Sequence, residues 1–231
     1  FLSSQDTMFT GNNTEHTYFK NCVIEGTTDY ICGDGSAVFD GCTLSMYGYG
    51  DKAASGSIIV ASKALSQLGY LFNNCKVVKT SYPGINKGIT KTYFARPWRA
   101  DSKVVFLNTE VEDANTIAPA GFTSMSNVTP AKAKYYEYNT HTPDGTAVDT
   151  SARAEGVTIL TAEDAAKIDI KALHTAGEWI VDKEATAEEG ISLLADLQKK
   201  YGNQIEIIAG CGVNENNAEK IMKKTGIKQL H

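Results

Sequence analysis

The chain lacks any stretch of about 18 apolar residues, so no membrane-spanning helix is expected. It also lacks a basic run, and its net charge of −5 argues against a nucleic-acid partner. No initiator Met or signal peptide opens it; it starts at Phe1 in mid-repeat and reads as a fragment. Cysteine is sparse and odd in number, the five being Cys22, Cys32, Cys42, Cys75 and Cys211. What remains is ample for a core: 42% of the 231 residues are hydrophobic, which suits one domain or two.

The informative feature is a repeat. Phe19-Lys20-Asn21-Cys22-Val23-Ile24 returns at Phe39 to Leu44 and at Phe72 to Val77, and returns weakly at Phe106 to Val111. The steps between the phenylalanines are 20, 33 and 34 residues, which suits a solenoid whose turns vary in length on one side. Each unit reads as a short strand with the cysteine and the second-next aliphatic residue on one face, followed by turn residues. Strands this short cannot bury a core singly, but stacked coils give a continuous interior ladder. A β-sandwich with similar strands by chance is the alternative, and the regular steps argue against it.

The repeat also serves as a ruler. Phe1 stands where Ile24 stands one unit later, and five residues separate Phe1 from Asp6 and Ile24 from Asp29. The two aspartates therefore share a register on coils spaced roughly 4.8 Å apart. Carboxyl groups that close do not both ionise readily, so one can act as a nucleophile while its neighbour holds a proton as an acid. The alternative is a pair of turn residues on a solvated loop.

Gln5-Asp6-Thr7-Met8, Asp29-Tyr30-Ile31-Cys32-Gly33 and Arg96-Pro97-Trp98 resemble three successive signatures of the pectin methylesterase (pectinesterase) family, which usually read QDTL, DFIFG and GRPW. The gaps, 23 residues from Asp6 to Asp29 and 67 from Asp29 to Arg96, are similar as well. The resemblance covers roughly residues 1–180 and implies a right-handed parallel β-helix. It implies a secreted or periplasmic hydrolase that acts on methyl-esterified pectin, as a monomer, with no metal or organic cofactor. Asp29 would be the nucleophile, Asp6 the general acid and base, Gln5 a donor to the oxyanion, and Arg96 the group that fixes Asp29. Trp98 would offer a flat surface to a sugar ring, whereas Arg99 reads as a surface residue.

Tyr49 and Tyr82 each lie seven residues after a repeat cysteine, as Asp29 does, so they are candidates for the same side and for contact with sugar faces; a packing role is equally open. Cys22 and Cys42 occupy equivalent positions in consecutive units, and a bridge between them would resemble one found in relatives. A ladder of reduced cysteines with Cys75 as a third rung is the alternative. Three departures stand out: Cys32 in place of a phenylalanine, Tyr30 in place of another, and Ala95 in place of the glycine before Arg96. The family also carries an earlier glutamine-bearing segment, and this chain begins after it, which puts the activity of the fragment in doubt.

Thr161-Ala162-Glu163-Asp164 is close to a capping box and predicts a helix through Ala166 to Leu173. The esterase-like part is expected over residues 1–182. From 183 to 231 the pattern changes to helix, strand, helix, strand, with a cap at Thr186 to Glu189, helices from Ile191 to Tyr201 and Asn214 to Lys224, and strands at Ile205 to Ala209 and Ile227 to Leu230. This α/β tail resembles the C-terminal end of the copper-homeostasis CutC family, a (β/α)8 barrel. Two units cannot close an eight-stranded barrel and would leave open edges. A fusion of unrelated genes and a small appendage both fit. Gly210-Cys211-Gly212 has no nearby His, which makes a metal site a poor reading. Two other functions remain open for the whole: a β-helix polysaccharide lyase or glycosidase, and a non-catalytic carbohydrate-binding repeat protein.

Overall fold

The computed structural model describes residues 1–11, 16–48, 56–63, 69–80, 89–168, 170, 190–202, 208–209 and 213–230. The chain divides into two compact units, Phe1–Thr175 and Ala176–His231.

The first unit is a parallel β-helix. One sheet holds β1 (Met8–Thr10), β4 (Thr28–Gly33), β7 (Ser57–Ser62) and β10 (Thr92–Pro97) in that order. A second runs from β2 (His16–Lys20) through β5 (Ser36–Asp40), β8 (Tyr70–Asn73), β11 (Lys103–Leu107) and β13 (Lys134–Tyr138) to β14 (Val157–Ile159). The third holds β3 (Val23–Gly26), β6 (Thr43–Met46), β9 (Lys76–Lys79) and β12 (Glu110–Val111). Every pairing within these sheets is parallel, each of the first four coils contributes one strand to each sheet, and β13 and β14 extend the second sheet alone.

The repeat is explained by what each position must do. Phe19, Phe39, Phe72 and Phe106 stack in register along the interior, with successive ring centroids 4.9, 4.6 and 4.3 Å apart and nearly parallel planes. Such stacks contribute about 0.5–1.5 kcal/mol per pair beyond the area they bury. Two residues on, the chain must turn from the second sheet to the third, and it does so in the left-handed region at Asn21, Gly41, Asn74 and Asn108. Gly, and after it Asn and Asp, take up that conformation most readily, and the third position of each unit is accordingly Asn or Gly. The rung that follows points inward: Cys42, Cys75 and Thr109 are fully buried, as are Ile24, Leu44 and Val77 behind them. Unequal steps arise because coils with longer turns still return to the same rungs, so that Phe39 pairs with Phe72 as Phe19 does with Phe39.

Gly33 closes β4 at φ 126°, and a Cβ added there would lie 2.0 Å from the Thr10 carbonyl oxygen on the next coil. Neither the backbone angle nor the space admits a side chain. Gly33→Ala is expected to cost about 3 kcal/mol or more, seen as a fall in the denaturant midpoint.

Cys22, Cys32, Cys42 and Cys75 are all free thiols. Cys22 and Cys42 do sit on neighbouring rungs, but each points its Sγ at a carbonyl oxygen, Lys20 for one and Phe19 for the other, and no bridge joins them. Thiol contact with Cys75 lowers the Cys42 thiol to about 7.

A helix, α1, does start after Thr161, whose Oγ1 accepts the Asp164 N–H at 3.1 Å. It covers Ala162–Ala166 and ends at Lys167, short of the expected continuation: Ile168 and Ile170 pack on Leu71, Val105 and Leu107 of the second sheet's outer face, and residues 171–173 lie outside the described residues. The second unit contains α2 (Ile191–Tyr201), β15 (Ile208–Ala209), α3 (Ala218–Thr225) and β16 (Gln229–Leu230), with the two strands parallel. Its core is Ile221 and Ile227, flanked by Ile191, Leu194, Val213 and Leu230. Gly226 ends α3 at φ 74°, as a left-handed cap requires. The cap at 186–189 and the Gly210–Gly212 turn with Cys211 lie outside the described residues.

Candidate active site

The site grows out of the first sheet's register. Met8, Ile31, Val60 and Ala95 form one cross-strand row and belong to the core. Alternation then turns the next row outward: Phe9, Cys32, Ala61 and Arg96. One residue past Gly33, Ser62 and Pro97 come Asp34, Lys63 and Trp98, two positions along from Cys32, Ala61 and Arg96 and so on the same outer face.

Asp29 reaches this face through an irregularity, since the pairing of β4 with β7 shifts register between Thr28 and Ile31. Asp6 and Asp29 have matching left-handed backbones, φ 51° and 50°, and the Asp6 N–H donates to the Thr28 carbonyl at 3.2 Å. The two aspartates therefore occupy the same position on adjacent coils. Phe1 opens the ladder that leads there, accepting the Glu25 N–H at 2.8 Å. Left-handed geometry is uncommon for residues other than glycine, and its repetition at two acidic side chains tips both away from the ordinary pleat.

Arg96 grips Asp29 with two parallel hydrogen bonds: Nε donates to Oδ1 at 2.8 Å and an Nη to Oδ2 at 2.5 Å. The Asp29 side chain is 5% exposed and that of Arg96 23%. A fork of this kind fixes the plane of a carboxylate and favours its charged form. Asp6 is exposed, and Gln5 beside it is exposed too, tied to the next coil by a backbone bridge to Thr28. Cys32 lies between the acids. Burial first, then the charges of Asp6 and Asp29 together with a hydrogen bond to Asp6, push its thiol up to about 12. At neutral pH it remains an S–H group, able to donate to Asp6. Trp98 is half-buried, with the Lys63 ammonium 4.7 Å from its ring centroid, and Arg99 is exposed, donating to the Trp98 carbonyl.

Asp6, Asp29, Arg96 and Trp98 are thus brought to one face, and Gln5 stands exposed beside Asp6 in the chain. Tyr49 and Tyr82 lie outside the described residues. Counting by repeats passed over two groups on this face. Phe9, 60% exposed, was within reach of the same ruler, since it lies 23 residues before Cys32 as Asp6 lies 23 before Asp29. Lys63 was not, because the lengthened turn before β7 breaks the count. Among the described residues no group of three or more His, Cys, Asp or Glu side chains is arranged to hold a metal ion.

The arrangement offers a fixed, charged carboxylate beside a second, solvent-open one, with an amide and aromatic surfaces at hand. That is a set for attack on an acyl carbon with proton transfer to a leaving group.

Comparison with known proteins agrees in fold and in sequence. A model of the Pectinesterase family matches residues 1–177, and one of the CutC family matches residues 146–231. Probable pectinesterase A of Aspergillus niger is 34% identical over 78% of this chain and 49% of its own length. Putative pectinesterase 11 of Arabidopsis thaliana is 32% identical over 77% of this chain and 46% of its own. The chain therefore spans about half the length of the curated relatives it matches. Among solved structures, the pectin methylesterase from Aspergillus niger in deglycosylated form superposes with a TM-score of 0.55 at 31% identity, covering 72% of this chain and 50% of that one. The carrot pectin methylesterase does so with a TM-score of 0.59 at 24% identity, covering 71% and 52%, and shares the right-handed parallel β-helix.

Proposed function

We propose, for a chain that belongs to the pectinesterase family, that its β-helical unit hydrolyses methyl esters of polygalacturonate to free carboxylates and methanol. The observation that carries this reading is the two-point grip of Arg96 on a buried Asp29, one coil from Asp6 in the same register.

In the reading, an Asp29 oxygen attacks the ester carbon. The carbonyl oxygen takes up negative charge, and the Gln5 amide donates a hydrogen bond to it. The C–O bond to methoxide breaks as Asp6 supplies a proton, so methanol leaves and a mixed anhydride with Asp29 remains. Water then gives a proton to Asp6 and its hydroxyl to the acyl carbon, which breaks the bond to Asp29, restores both aspartates and frees galacturonic acid, whose carboxyl proton passes to solvent. Every proton and electron pair is accounted for without a metal or organic group. Arg96 positions Asp29, and Trp98 supports a sugar ring by apolar contact. The α/β unit has no assigned part in this chemistry.

Its substrate would be methyl-esterified pectin and its place of action extracellular, as for the family it belongs to. Among the described residues no helix is long and apolar enough to cross a membrane. The test is methanol release from methyl-esterified pectin, with polymer length followed in parallel. Methanol without shortening is expected; shortening without methanol would favour a lyase or glycosidase.

A further inference from the structure

Asp29 is gripped by Arg96, whereas Asp6 is exposed and its place depends on the backbone that carries it. That backbone hangs on Ser4. The bridges from Leu2 to Glu25 and from Gln5 to Thr28, with the pairing of Gly26 and Met46, put Ser4, Thr27 and Tyr47 at the equivalent place on three successive coils. The Ser4 carbonyl oxygen accepts the N–H groups of both Thr27 and Thr28, each at 3.1 Å, and so holds the two peptides that lead into Asp29. Two residues on from Ser4, the Asp6 N–H returns to the Thr28 carbonyl at 3.2 Å. These three bonds close a backbone clasp that carries one aspartate on each side.

The clasp is held from the third coil. Tyr47 Oη donates to Ser4 Oγ at 3.1 Å, reaching past the coil between them. The tyrosine is itself fixed, since its N–H donates to the Gly26 carbonyl at 3.2 Å and its carbonyl accepts the Thr27 hydroxyl. Tyr47 is 7% exposed, while Ser3, Gln5 and Asp6 are all exposed. A buried, anchored ring thus restrains an exposed loop through one hydroxyl. Resting on the esterase reading, we propose that Tyr47 is a positioning residue for hydrolysis: through Ser4 it sets where Asp6 stands relative to Asp29, so that proton donor and nucleophile meet the same ester.

Tyr47→Phe keeps the ring and deletes the hydroxyl, and Ser4→Ala deletes the acceptor; both are tested in the full chain for methanol release and for amide hydrogen exchange. Each variant is expected to lower kcat about tenfold with KM changed less than about twofold, because the loop holds a reacting group and not the polymer. The double variant should lose no more than either single one, since each breaks the same bond. Exchange at the Asp6, Thr27 and Thr28 amides should quicken about tenfold in Tyr47→Phe, with the amides of β8 and β11 unchanged. Unaltered exchange at those three amides, a kcat within about twofold of the unmodified chain, a change confined to KM, or losses that add in the double variant would each overturn the proposal. Failure of the esterase reading is separate: it would show as no methanol from the unmodified chain, and exchange would still decide whether Tyr47 holds the clasp.

Discussion

Asp29→Asn is expected to lower methanol release from methyl-esterified pectin by about four orders of magnitude or more, because an amide cannot form the acyl intermediate. The fold should survive. Asparagine has the same shape and can keep one acceptor toward Arg96, at the cost of turning its NH2 against a guanidinium. Losing half of a charge-assisted pair at a site still partly open to water should cost about 1–3 kcal/mol, readable in a denaturant titration alongside the rate. A variant that unfolds near its parent's midpoint yet keeps a tenth of the activity would remove Asp29 from the role of nucleophile. The parallel coil geometry would then leave Asp6 as the acid with water to attack directly.

Arg96→Lys carries the second-largest expectation. The substitution keeps the positive charge and discards the fork, so a lysine can offer one contact where Arg96 makes two, at 2.8 and 2.5 Å. Asp29 would remain charged but free to rotate out of line with the ester carbon. Misorientation of a nucleophile is expected to lower kcat by about a hundredfold with KM changed less than about threefold. The division matters: a change in KM alone would mean that Arg96 holds substrate rather than the nucleophile. Arg96→Ala should lose more, since it also strips the counter-charge from a side chain that is only 5% exposed.

These two residues also show how the site came to be legible. Asp6 and Asp29 could be paired from sequence because each follows the aliphatic rung of its own coil by the same five residues, before any turn of unequal length intervenes. The pairing needed only that equal spacing from an aliphatic rung means an equal place on the coil. Phe9 and Cys32 follow from the same count. Arg96 lies two coils further on, beyond turns of unequal length, and counting alone could not bring it to Asp29; its resemblance to a known signature did. Lys63 had neither a clean count nor a signature, and its place beside Trp98 emerges only once β4, β7 and β10 are laid in register. The helix after Thr161 was legible at its start, where a side chain caps its own backbone, and misjudged at its end, where the sheet's outer face drew Ile168 and Ile170 away.

The sequence by itself determined the solenoid, for each coil repeats the same demands: an aromatic to stack, an Asn or Gly to turn left-handed, a small or apolar rung to bury. Those are local requirements, met by residues within six positions of one another, and so they can be read along the chain. What tertiary structure alone decided is which outward-facing side chains from different coils meet. Strand register across the first sheet puts Arg96 on Asp29, the Cys32 thiol against Asp6 and Lys63 over Trp98. The Cys22 and Cys42 thiols, adjacent in the ladder, each reach a carbonyl oxygen, of Lys20 and of Phe19. Such contacts depend on how far each lengthened turn carries the chain before it rejoins the stack, and that distance is set by packing, which no spacing in the sequence records.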